Sequence, residues 1–133
     1  MSNNRSILAL PNFDNPIDHA MALQTAAASV GFDWPNHQGV IDKIKEELEE
    51  VIAEIELAQP ERLQDEIGDL LFSCINLARH LGVDIHRAIT SSNDKFCRRF
   101  HYIEQHINVR YQSNWSYCSS DELNKLWQQA KEQ

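Results

Sequence analysis

Residues 43–72, KIKEELEEVIAEIELAQPERLQDEIGDLLF, gather Glu46, Glu47, Glu49, Glu50, Glu54 and Glu56 ahead of Pro60. The cluster Asp65, Glu66 and Asp69 follows it. Like charges one helical turn apart weaken a helix by a few tenths of a kcal/mol per pair. Two readings account for the accumulation: a solvated acidic face, or a cradle for a hard cation. Carboxylate oxygens are the ligands that such cations take, Mg²⁺ above all. The spacing favours the cradle, because Glu47 with Glu50 and Glu66 with Asp69 are each i,i+3 pairs beside an apolar stripe. Gly68 lies between the second pair, and a mid-helix glycine costs roughly 1 kcal/mol relative to alanine. It suggests a close approach there by a backbone or a ligand.

Five helices are expected to position these groups, with no strand between them. Asn15, Pro16 and Asp18 open a first helix that ends near Gly31. GFDWPNHQG is a connector, in which Trp34 is assigned to packing, with contact to a base left open. A second helix runs from about Asn36 or Gly39 to Ala58, with Ile41, Ile44, Leu48, Val51, Ile52 and Ile55 at helical spacing. Pro60 suits the first turn of a third, which Gly82 stops. Its apolar stripe is Leu63, Ile67, Leu70, Leu71, Cys74, Ile75 and Ala78. Asp84 can cap a fourth helix, and Ser119 with Glu122 forms a capping box that opens the last.

At 100° per residue, Lys43, Glu47, Glu50 and Glu54 share one stripe. Arg62, Glu66, Asp69, Ser73, Asn76 and His80 share another on the third helix. A short loop makes the two an antiparallel hairpin. Packing the apolar faces together is expected to bring Glu47, Glu50, Glu66 and Asp69 towards one another.

Composition bounds the possibilities. With 133 residues, 42% of them hydrophobic, the chain suits one folded region. A formal charge of −8 argues against nucleic-acid binding, which relies on basic surfaces. No apolar run reaches the length of a membrane span. Cys74, Cys97 and Cys118 are odd in number and lack CxxC spacing, so a reduced, cytoplasmic setting is expected and no zinc site. Glu-x-x-His, HExxH, P-loop, GxGxxG and GxSxG patterns are all missing.

Glu46-Glu47-x-x-Glu50 followed by Glu66-x-x-Asp69 resembles the EExxE…ExxD signature of the MazG family of nucleoside triphosphate pyrophosphohydrolases. GFDWP, EIGDLLFSCINLARHLGVD, NDKFCRRF and ELNKLWQQAKEQ are similar to the C-terminal catalytic domain of bacterial MazG, here as a standalone chain. The likeness covers residues 16–133 as a catalytic domain and leaves 1–15 as an N-terminal extension. It implies an all-α helical bundle that forms homodimers or homotetramers. It also implies hydrolysis of a nucleoside triphosphate to monophosphate and pyrophosphate with Mg²⁺, Mn²⁺ being a possible substitute. Residue by residue, it implies metal ligation by Glu47, Glu50, Glu66 and Asp69, with Glu46 assisting. Lys95 and Arg99 match the family's basic pair, and Trp127 and Lys131 its base-stacking and phosphate-contacting residues. Two alternatives stay open at this level: an enzyme restricted to dUTP or dCTP, and a non-enzymatic acidic helical regulator.

Overall fold

The computed structural model describes residues 5–133. Among these, every regular element is helical: α1 (Pro16–Ser29), α2 (His37–Leu57), α3 (Pro60–Leu81), α4 (Ile85–Tyr111), a 3₁₀ turn (Trp115–Tyr117) and α5 (Ser120–Lys131). Of the expected N-terminal extension, residues 1–4 lie outside the described part, and 5–15 lead irregularly into α1.

Helix ends follow local chemistry. The Asn15 side-chain oxygen accepts from the Asp18 N–H at 2.8 Å, and Pro16 follows in the first turn. Asn36 accepts from the Gln38 N–H at 2.9 Å. Gly82, with φ +67°, closes α3, and Val83 N–H donates to the Ala78 carbonyl at 2.9 Å. Alanine performs the same left-handed turn after α2, where Ala58 has φ 52°. Ser119 caps α5 by accepting from the Glu122 N–H at 3.1 Å. The Glu122 carboxylate, however, accepts from the Tyr111 hydroxyl at 2.6 Å and pairs with Arg110 at 3.0 Å. It thereby ties α5 to the end of α4.

The chain forms two compact units, one through Ile85 and the other from His86 onward. In the first, α2 and α3 form the expected antiparallel hairpin, and α1 packs on α3. Its inward face keeps Val51 and Ala78 of the expected stripes but corrects much of the rest. Val40, Glu47, Val51, Ser73 and Ala78 are buried, whereas Leu48, Ile52, Ile55, Ile67 and Leu71 are exposed, Ile55 and Leu71 each at 59%. Residues 47, 51 and 54 share one side of α2, and 48, 52 and 55 lie about 100° around it. The hairpin thus closes on carboxylates and small residues and turns much of its apolar stripe outward. Two helices form a single layer, which cannot cover both stripes at once.

In the second unit, Ile103, Ile107 and Leu126 form a buried cluster. Tyr102, Tyr111, Cys118, Leu123 and Trp127 pack against it. No helix among the described residues is long and apolar enough to cross a membrane.

Candidate active site

Carboxylate oxygens of Glu47 on α2 and of Glu66 and Asp69 on α3 lie within 4.8 Å of one another. Glu47 is buried, its side chain 5% exposed. One of its oxygens lies 3.0 Å from Lys43 Nζ; the other, Oε2, is buried without a partner. Glu66 Oε2 is likewise buried and unpartnered, and so is Oε2 of Glu54, one turn beyond Glu50. Two unit charges about 5 Å apart repel by roughly 3 kcal/mol at an effective dielectric near 20. A buried carboxylate without hydrogen bonds is costlier still.

Protons carry part of the strain. The Glu50 carboxyl is pushed up to about 7, first by a hydrogen bond with Glu66 and then by one with Glu47. Asp69 is raised by burial first, then by the charges of Asp65 and Glu47, with Lys43 opposing. The Lys43 ammonium is held above its usual value, chiefly by its hydrogen bond to Glu47. The site is therefore short of positive charge, and its hard oxygen donors fit Mg²⁺ or Mn²⁺.

The expected four carboxylates do not all meet equally. Glu47, Glu66 and Asp69 converge; Glu50 is not in that group, although Glu66 and Glu47 beside it raise its carboxyl. Glu46 stays outside, its side chain 59% exposed and its oxygen 3.4 Å from Lys43. Lys43 is the residue that sequence reasoning undervalued, although its i,i+4 spacing to Glu47 was visible. Among the described residues, no other part of this chain approaches Gly68 closely, since a methyl group there would meet nothing within 4 Å. The tight glycine is Gly39, where an added Cβ would come within 2.6 Å of the Trp34 ring.

The connector that carries Trp34 is fastened to the end of α3. Arg79 donates to Asp33 at 2.6 Å and His80 Nε2 lies 2.8 Å from the same oxygen. Arg79 holds the Asp33 carboxyl down at about 2, with His80 and the Trp34 N–H assisting. No local spacing could have revealed this clamp, because the partners are 46 and 47 residues apart.

In the second unit, Lys95, Arg98, Arg99 and Lys131 line one cleft of about 640 Å³. Three of the four expected ligand-binding residues are thereby brought together. Trp127 is not in its lining. It is half-buried against the apolar cluster, with Phe96 tilted against it and the Arg99 guanidinium 5.7 Å from its ring centroid. A cation at that distance over an indole is held by the ring's negative face.

Residues 35–103 match the family model of the MazG nucleotide pyrophosphohydrolase domain, a span that includes the acidic cluster, Lys95 and Arg99. Over 116 residues the chain is 39% identical to a protein of Escherichia coli (strain K12) named nucleoside triphosphate pyrophosphohydrolase. That match takes in 86% of this chain and 44% of the relative. A Thermotoga maritima protein named nucleoside triphosphate pyrophosphohydrolase/pyrophosphatase MazG is 42% identical over 97 residues, 70% of this chain and 37% of its own length. The chain thus spans less than half the length of these curated relatives. With over half of its residues inside the family model, the chain belongs to the MazG nucleotide pyrophosphohydrolase domain family.

Proposed function

We propose that this chain hydrolyses nucleoside triphosphates, ribo- or deoxyribonucleotides, to monophosphate and pyrophosphate. The observation that carries the reading is the convergence of Glu47, Glu66 and Asp69 around buried carboxylate oxygens that lack partners. Those three with Glu50 would hold Mg²⁺. When bound, the cation offsets the charge of carboxylates and phosphates, acidifies a water and polarises the α-phosphate.

The remaining roles fall to the protein's own groups. Lys43 fixes one oxygen of Glu47 and so sets which oxygen is free. Glu46, exposed beside Lys43, orients water. Lys95, Arg99 and Lys131 bind the phosphates and stabilise charge as it moves onto departing pyrophosphate, a guanidinium fork and point charges acting together. Trp127 steadies Arg99, and the base-stacking role that the resemblance implies for it is open to direct test. The outward apolar stripe of α2 and α3 is covered in a homodimer or homotetramer, as exposed faces of this kind commonly are. Light scattering that finds only a compact monomer at micromolar concentration would refute that last point.

The deciding assay incubates a panel of ribo- and deoxyribonucleoside triphosphates with and without Mg²⁺ and quantifies both products. Equimolar monophosphate and pyrophosphate, formed only with the cation, is the expected outcome. Release of orthophosphate instead, or no turnover of any member, would overturn the reading.

A further inference from the structure

A second cavity, in the first unit, has no part in metal binding. It is a cleft of about 400 Å³ between α1, the 31–36 connector and the α2/α3 hairpin. Phe32, Trp34 and Phe72 supply aromatic surface and Leu23 and Ala27 close its apolar side. Its size and mixed lining are those of a small-molecule pocket, mostly apolar with a few fixed polar groups. Two features hold its shape. The Asp33–Arg79 and Asp33–His80 contacts anchor the connector, and Gly39 lets the Trp34 ring lie directly on α2.

Gln24, on α1, lines the cleft and is only 7% exposed. Its Nε2 donates to the Phe72 carbonyl at 2.9 Å. A carbonyl can only accept, so this bond settles which end of the amide is which. The other end, Oε1, is buried and has no partner. A buried acceptor left unpaired is unfavourable and rare in folded proteins. Lys43 also lines the cleft, and its Nζ is 3.0 Å from Glu47 of the acidic cluster. An occupant of the cleft is therefore adjacent to the groups that would hold Mg²⁺.

We infer that this cleft receives the heteroaromatic base of the nucleotide, and that the Gln24 carbonyl reads a hydrogen-bond donor, an amino group or ring N–H, on its edge. The inference rests on the pyrophosphohydrolase reading and adds to it a determinant of base preference. A flat ring satisfies the aromatic walls, and one N–H satisfies Oε1. A base without a donor leaves that oxygen buried and unpaired, which is how polar sites reject close analogues.

The test compares nucleotides with and without the donor: ATP with purine riboside triphosphate, and CTP with pyrimidin-2-one riboside triphosphate. Inorganic triphosphate, which has no base, is the control. In the unaltered protein with Mg²⁺, the donor-bearing member of at least one pair should bind, and reach its kcat/KM, about tenfold or more better. Gln24→Leu, similar in size, should bring that pair to parity and leave triphosphate affinity unchanged. Phe32→Ala, at a side chain 81% exposed, cannot endanger the fold. It should weaken nucleotides severalfold and spare triphosphate. Three results would overturn the inference: no preference within any pair, a preference that survives Gln24→Leu, or a preference lost in Trp127→Ala but kept in Gln24→Leu. If neither nucleotides nor triphosphate bind at all, the pyrophosphohydrolase reading fails with it. Turnover of every nucleotide without donor preference would sink the cleft assignment alone.

Discussion

The hairpin of α2 and α3 and the unit built from α4 and α5 both gather like charges, and they do so under opposite conditions. In the hairpin the carboxylates point inward: Glu47 is 4% exposed, and three of the acidic side chains there have a buried oxygen without a partner. In the second unit Lys95, Arg98 and Lys131 line an open cleft and keep their water, while an apolar cluster of Ile103, Ile107 and Leu126 supplies the packing. The acidic group is held together at the expense of stability, which a bound cation would restore. The basic group costs the fold almost nothing. Stability and activity should therefore be opposed in one unit and independent in the other.

The largest effect is expected at the buried carboxylates. Glu47→Gln and Glu66→Gln keep side-chain size and remove one charge each. Turnover should fall by at least about 100-fold, since even groups that merely support metal ligands are worth about 10–100-fold. The cation-free proteins should melt at the same temperature as the parent or higher, because a repulsive charge has gone. Calorimetry in EDTA alongside activity with Mg²⁺ measures both. Loss of activity with a lower melting temperature in both variants would dissolve the contrast.

Next comes Arg99→Ala, which removes a charge-assisted contact worth about 1.5–3 kcal/mol. All nucleotides should weaken by a similar factor, about 10-fold to 100-fold, and kcat should fall as well if the contact strengthens as pyrophosphate leaves. Lys95→Ala should behave likewise with a melting temperature shifted by no more than about a degree, as for most exposed positions. A loss confined to one base would show that the cleft reads bases, not phosphates.

Acidity should sharpen the comparison in the cation-free protein. Glu50 is raised from 4.5 to about 7 by its hydrogen bonds to Glu66 and Glu47. Between those values the folded chain keeps a proton that the unfolded chain has released, so stability falls as pH rises from about 4.5 to 7. Asp69, raised by burial, adds in the same direction. Asp33 gives the opposite limb: lowered from 3.8 to about 2, it stabilises the fold above pH 3.8 and loses that contribution as pH falls to about 2. Melting temperatures in EDTA should therefore pass through a maximum between the two limbs, at about pH 4, and decline towards neutrality. Glu50→Gln should flatten the descending side, and Asp33→Asn the acid side. Saturating Mg²⁺ should reverse the descending trend, because cations bind carboxylates that have lost their protons.

The smallest effect lies outside both charge clusters. Ala58 holds a left-handed turn at φ 52°, a conformation that costs residues with a Cβ about 1–2 kcal/mol. Ala58→Gly should raise stability by about 0.5–1 kcal/mol after the extra chain entropy of glycine is counted, with kcat/KM unchanged. Chemical denaturation is sensitive enough to see it.

Much of this protein is legible because it is local. Asn15 with Pro16, Asn36, Pro60, Gly82 and Ser119 mark helix ends through groups at most a few residues away, so the helices emerge from the sequence nearly as they fold. The i,i+3 spacing of Glu47 with Glu50 and of Glu66 with Asp69 likewise reveals the acidic cluster, since one helical turn dictates which side chains share a face. Folding alone decided which face turns inward. Of the expected apolar stripe, Val51 is buried, but Leu48, Ile52 and Ile55 are exposed and Glu47 lies inside instead. The choice depends on what α1 and α3 offer in return, and no single helix encodes that. Gly68 and Gly39 make the same point: both are helical glycines in the sequence, but only the fold presses Trp34 against the second. The Asp33–Arg79 clamp and the bond from Gln24 Nε2 to the Phe72 carbonyl join residues more than forty positions apart, and such partners are chosen by three-dimensional packing and not by spacing along the chain.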